Sequence, residues 1–155
     1  GDVVHMTSYA PLLAKEKHTQ WSPDLIYFNN REVKPTTGYY VQKLYGQNAG
    51  SHYIPSQIIL DNQDNRVKLR IGSSIVRDSK TGDVIVKLVN LLPVSVETEI
   101  QLPGIGSVQP SAVRTVLAGV PESTPLPVTD TIEVGANFKQ QLPAYSFTVI
   151  RLKTK

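Results

Sequence analysis

"VIVKLVNLLPVSVETEIQL", residues 84–102, holds two apolar runs of different texture on either side of a proline. In the first, Val84, Val86 and Leu88 alternate with Ile85, Lys87 and Val89, so both faces are fairly apolar and the run reads as a central strand. In the second, Val94, Val96, Ile100 and Leu102 share one face while Ser95, Glu97, Glu99 and Gln101 share the other, the pattern of a half-buried strand. Two such neighbours define a sheet with one wet side.

The same period of two extends outward. "VKLRI" places Val67, Leu69 and Ile71 on one face, "PSQIILDNQDN" offers a first strand at Gln57–Leu60, and "AVRTVLAG", "DTIEV" and "YSFTVIRL" read as shorter strands. Turn residues separate them at "SKTGD", "LPG", "PESTPLP" and "LPA". Roughly seven or eight short strands in about 100 residues predict an antiparallel β-sandwich, jelly-roll or immunoglobulin-like, and the pattern does not separate those two.

Upstream of Pro55 the texture changes. "DVVHM" (Asp2–Met6) suits a buried parallel strand or the start of a helix, "APLLAKEK" a helical turn or two with Pro11 near its start, and "DLIYF" (Asp24–Phe28) a strand ending in the turn-prone Asn29-Asn30. "PTTGYYVQKLYGQN" predicts the best helix in the chain. Pro35 suits its first turn, Gly46 its end, and Tyr40, Val41, Leu44 and Tyr45 make an apolar stripe. A strand-loop-helix segment over residues 1–54 is thus joined to a sandwich over residues 55–155.

Composition excludes several functions. The 16 basic and 13 acidic residues leave a net charge of +3 with no basic run, which argues against nucleic acid as a partner. No apolar run approaches the ~20 residues that span a bilayer, so no membrane partner is expected. With no cysteine there is neither a disulfide nor a thiolate metal site, and the compartment stays open.

Chemistry-bearing residues are sparse. Glycoside hydrolysis needs two carboxyl groups about 5 to 10 Å apart. Of the six Glu and seven Asp, only Glu97 and Glu99 form a close Glu pair, and their neighbours mark a solvated sheet face. Asp61 and Asp64 in "LDNQDN" lack the glycine spacing of a calcium loop and read as a turn. His5, His18 and His52 have no metal-ligand spacing, no G-x-S-x-G elbow occurs, and no cofactor is expected. Trp21 lies in a polar stretch and serves equally well as a sugar-stacking platform or as a plug over a core edge.

"GDVVHMTSYAPLLA", "QWSPDLIYFNN" and "PTTGYYVQKLYGQN" resemble the tail of the catalytic barrel in family 51 α-L-arabinofuranosidases, and "VIVKLVNLLPVSVETEIQL" and "QQLPAYSFTVIRL" look like the β-sandwich that follows it. The resemblance covers nearly the whole chain. It implies a parent (β/α)8 barrel that removes terminal arabinofuranosyl groups from arabinan and arabinoxylan with retention, using two glutamates. The family's acid/base follows an Asn, and no Asn-Glu pair occurs here, so both catalytic carboxylates lie outside this chain. The resemblance makes Asp2–Met6 the eighth barrel strand, Tyr9–Asn30 the loop after it and Pro35–Asn48 the last helix. That loop lies where such barrels build their sites, and Ser8, Tyr9, Trp21 and Asp24 are its candidates for lining the sugar pocket. The family's polar substrate contact has no clean counterpart; Asp24 or Gln20 stands nearest. A secreted or periplasmic parent is compatible with all of this.

The expected role is that of a noncatalytic domain whose partner is the barrel of its own parent chain, with the polysaccharide reached through that barrel. A carbohydrate-binding module is the alternative, though six of the seven Tyr precede Pro55 and the sandwich keeps Tyr145, Phe138 and Phe147. A protein-protein adaptor has no motif behind it. Without the barrel, an apolar patch around Val3, Val4, Leu25, Tyr40 and Leu44 predicts self-association of the isolated chain or disorder at its extreme N-terminus.

Overall fold

A computed structural model describes residues 6–154. The expected barrel strand at Asp2–Met6 lies, but for Met6, outside the described residues. Strands β1 (Leu13–Lys15), β2 (Ile26–Phe28) and β3 (Val33–Pro35) form a small sheet, β1 parallel to β2 and β2 antiparallel to β3. The helical turn expected over Ala10–Lys17 is therefore a strand. Its hydrogen bonds run sideways, from Ile26 N–H to Leu12 O at 3.0 Å and from Glu16 N–H to Phe28 O at 2.9 Å. The β2–β3 turn is closed by Asn29, whose side-chain oxygen accepts the N–H groups of Arg31 (2.8 Å) and Glu32 (3.0 Å).

Helix α1 (Thr37–Gln47) follows directly. Thr36 is its N-cap, accepting the Tyr39 N–H at 3.4 Å, so Pro35 closes β3 instead of occupying the first helical turn. Gly46 is not the stop either. The helix runs through it to Asn48, whose Nδ2 donates to Leu44 O at 2.9 Å.

Next come β4 (His52–Ile54), the short α2 (Asn65–Lys68), β5 (Ile71–Arg77), β6 (Val84–Asn90), β7 (Val96–Gln101), β8 (Val108–Ala118), β9 (Val128–Glu133), β10 (Asn137–Leu142) and β11 (Ser146–Thr154). They build an antiparallel sandwich from a six-stranded sheet, β4-β5-β6-β11-β8-β9, and a two-stranded sheet, β10-β7. β6 lies between β5 and β11, the interior position its two apolar faces predict. Glu97, Glu99 and Gln101 of β7 point to solvent as expected, and Glu97 pairs with Lys139 across the strand pair at 3.0 Å. The large sheet takes its edge strand β4 from the N-terminal side of Pro55.

Three strand readings are corrected. Val67–Leu69 belongs to a helical turn and not to a strand, because Asp64 caps it by accepting the Arg66 N–H at 2.8 Å; Leu69 is 83% exposed. The strand begins only at Ile71, where Gly72, Ser73 and Ser74 hide the alternation. Gln57–Leu60 forms no strand, and Ile59 is 89% exposed. Val94 faces solvent ahead of β7 and is not part of the core.

Two cores flank the large sheet. Val84, Val86, Leu88, Ile150 and Leu152 meet Ile100, Leu102 and Leu142 of the facing side. On the opposite face Val76, Ile85, Leu117, Phe147 and Val149 meet Leu44 of α1, with Tyr40 and Val41 packed alongside and Tyr45 stacked on Phe147 at 4.7 Å. The expected apolar patch is therefore absent at Leu25 and Leu44, which are buried, while Tyr40 is half-buried. Val3 and Val4 lie outside the described residues. The helix stripe is spent on the sandwich.

Two polar residues in these layers carry measurable energy. Asn90 is fully buried where the β6–β7 and β10–β11 turns meet. Its Nδ2 donates to Val94 O (2.9 Å) and Pro143 O (2.8 Å), and its Oδ1 accepts the Leu92 N–H (3.0 Å). Asn90→Ala leaves those groups unpaired and is expected to cost about 2 to 4 kcal/mol in urea denaturation of the isolated chain. Lys87 of β6 is 3% exposed beneath α1, its Nζ 5.7 Å from the centre of the Tyr45 ring. Burial, with help from the Arg151 charge, holds its ammonium below the ordinary lysine pKa. Below the folded-state value both states are protonated and the penalty is complete; it fades as pH rises toward about 10.4, the unfolded value. Lys87→Met is thus expected to raise stability by about 1 kcal/mol near neutrality, with the advantage over wild type narrowing in alkaline urea titrations.

Candidate functional site

The loop from Tyr9 to Asn30 folds on local hydrogen bonds. The Tyr9 hydroxyl donates to Pro23 O at 3.2 Å, and the Asp24 N–H donates to the Tyr27 hydroxyl at 2.9 Å. Thr19 Oγ1 accepts the Trp21 N–H at 3.1 Å. These contacts bring Tyr9, Asp24 and Tyr27 together and turn Trp21 outward, where it is 67% exposed. Trp21 therefore covers no core edge among the described residues.

Asp24 behaves differently. It is fully buried, and neither carboxylate oxygen has a partner among the described residues. Ser8 and Gln20 are exposed and Tyr9 is half-buried. Thr7, Ser8 and Tyr9 line an open depression of about 640 Å³ together with Gln42, Tyr45 and Gly46 of α1. Neither Trp21 nor Asp24 borders it. Gln42 is new relative to the sequence pattern, and Tyr45, expected only as part of the apolar stripe of the helix, also borders this depression.

Several carboxylates are committed to ion pairs and caps away from this depression. Glu16 and Glu32 converge on Lys34, whose Nζ lies 2.8 and 3.0 Å from them, and Asn29 Nδ2 donates to both. The Lys34 hydrogen bond, then that of Asn29, holds both carboxyl groups below the usual range, and Lys34 is raised in return. A glycosidase acid needs the opposite shift. Asp64 caps α2 and pairs with Arg66 at 2.6 Å, Asp130 pairs with Arg114, and Arg151 lies 3.4 Å from Asp78 and 3.6 Å from Asp83. A second depression, about 340 Å³ beside Ile58, Ile59, Leu60, Gln63, Lys68 and Ile71, has no carboxylate in its lining. No His, Asp or Glu cluster suited to a metal ion occurs among the described residues. The site can hold part of a ligand; it has no acid, base or nucleophile of its own.

Similarity to known proteins agrees with this architecture. The family described as alpha-L-arabinofuranosidase C-terminal domain matches residues 1–146. The extracellular exo-alpha-L-arabinofuranosidase of Streptomyces chartreusis is 52% identical over 57 residues, which is 37% of this chain and 7% of that protein. The probable alpha-L-arabinofuranosidase A of Aspergillus terreus is 35% identical over 109 residues, 69% of this chain and 16% of its own length. Among solved structures, the arabinose-bound MgGH51 α-L-arabinofuranosidase superposes with a TM-score of 0.85 at 32% identity, over 99% of this chain and 25% of that one. The chain spans a quarter or less of each of these proteins. It belongs to the α-L-arabinofuranosidase C-terminal domain family.

Proposed function

We propose that the chain is the noncatalytic C-terminal part of a retaining α-L-arabinofuranosidase that releases terminal arabinofuranosyl groups from arabinan or arabinoxylan. Residues 1–54 complete the wall of the catalytic barrel, and residues 55–155 form the sandwich that supports it. The observation that carries this reading is the superposition of nearly the whole chain, N-terminal segment included, on one quarter of an arabinose-bound relative. Glu16, Glu32, Asp64 and Asp130 meanwhile form ion pairs, and Asp64 also caps α2.

The small sheet supports a barrel partner. Its register puts Leu13, Ile26, Phe28, Val33 and Pro35 on one face with one charged residue, Lys15, among them, and Leu13 and Val33 are 58% and 66% exposed. An apolar sheet face left to water calls for a cover, which the rest of the parent chain supplies; without it, the isolated chain self-associates through this face. In the assembled enzyme Tyr9 and Trp21 stand at the rim of the sugar pocket, with Asp24 in the same loop.

The alternative, a glycan-binding sandwich, has little surface to use. Phe147 is buried, Phe138 and Tyr145 are half-buried, and of the sandwich aromatics only Tyr53 on the edge strand β4 is well exposed. A single ring is a poor stacking platform.

The test compares the isolated chain with the full-length enzyme that contains it. The expected outcome is aryl arabinofuranoside hydrolysis by the full enzyme and none above background by the isolated chain. Hydrolysis by the isolated chain, or a full enzyme inactive on every arabinofuranoside, refutes the reading.

A further inference from the structure

Two loops far apart in sequence meet at the first turn of α1. From the N-terminal side, Leu25 O accepts from both Thr36 N–H (3.1 Å) and Thr36 Oγ1 (2.8 Å). From the sandwich side, Ser123 O accepts from Thr37 Oγ1 at 3.2 Å. In a (β/α)8 barrel the chain leaves each strand at the catalytic face and enters the next helix from that face. If α1 is the last barrel helix, its first turn marks that face, and the sandwich loop at residues 119–127 stands on it.

The loop is built to hold its shape. Pro121, Pro125 and Pro127 fix three φ angles, and the Ser123 N–H and hydroxyl both donate to Val120 O, at 3.1 and 2.6 Å. Gly119 admits no side chain, since a Cβ there would lie 2.5 Å from Ser123 Oγ and 2.8 Å from Pro125 Cγ. The loop nonetheless presents Val120 and Leu126 to solvent at 67% and 66% exposure, and Glu122 is its only ionisable residue. Trp21, equally exposed, precedes the segment that reaches the same helix end. A rigid, partly apolar ledge with a single charge suits a neutral chain of sugars, and its order is already in place before binding.

We propose that the 119–127 loop of the sandwich is a specificity-determining wall of the sugar site, contacting the neutral polysaccharide main chain that carries the arabinofuranosyl group to be removed. The assignment rests on the barrel reading of the preceding subsection. It gives the sandwich a part in choosing substrate as well as in support.

The test uses the full-length enzyme with the double substitution Val120→Ser and Leu126→Ser, assayed on arabinoxylan, on arabinan and on an aryl arabinofuranoside that lacks a main chain. The expected result is a loss of kcat/KM on the polymers exceeding that on the aryl glycoside by about tenfold, carried mainly by KM. An unchanged thermal midpoint is expected, because both side chains are exposed. Equal losses on all three substrates, or none, overturn the proposal while leaving the barrel reading intact. A change confined to sedimentation behaviour also overturns it, by making the ledge a protein interface. A wild-type enzyme inactive on every arabinofuranoside removes the reading on which the proposal stands, a result distinct from the others.

Discussion

The corner of the sandwich depends on the buried amide of Asn90. Antiparallel strands satisfy their own backbone, but the turns between them expose carbonyls and N–H groups that no ladder pairs. Here two such turns come together over one buried side chain, whose two donors and acceptor serve them: Val94 O and Pro143 O accept from it and Leu92 N–H donates to it. Only an amide supplies both functions at that size. Around it, Ser146 Oγ donates to Pro143 O, Tyr145 N–H to Leu92 O, and Gly119 N–H to Tyr145 O. The corner thereby fixes where the 119–127 loop leaves the sheet.

Helix α1 is the second joint. Its stripe of Tyr40, Val41 and Leu44 lies against the outer face of the six-stranded sheet, so the large sheet is covered on both sides, by the helix and by β10-β7. The N-terminal segment is consequently not a loose remnant attached to a finished domain. It forms the third layer of the same packing unit, and β4 extends the sheet from that side. Lys87 marks a local cost of the arrangement, because a side chain that would reach water from an uncovered sheet lies beneath the Tyr45 ring.

Charge chemistry explains why such a unit is a scaffold. Of the carboxylates the sequence offered, Glu97 pairs with Lys139 and Asp64 with Arg66, and Glu16 and Glu32 share one ammonium. These partners favour the ionised form of the carboxyl groups they meet, the opposite of what a proton donor needs. What the segment offers a substrate is shape and exposed apolar surface, at Trp21 and at the loop braced by Thr37.

The sequence by itself determined what depends on neighbouring residues. Alternation in Val84–Leu102 specified two strands and the wet face of Glu97 and Glu99, the spacing of Tyr40, Val41 and Leu44 specified a helix, and Asn29-Asn30 specified a turn. Where long-range contacts outweighed local pattern, the reading failed. Leu13–Lys15 is extended because it pairs with Ile26–Phe28, and Ile71–Arg77 is a half-buried strand although Gly72, Ser73 and Ser74 lack apolar signal. Likewise, no periodicity says that Leu44 faces a sheet of the sandwich, that Asp24 is enclosed, or that Ser123 meets Thr37. Those facts follow from which surfaces meet after folding, and burial and hydrogen-bond partners are properties of the assembled layers, not of any stretch of chain.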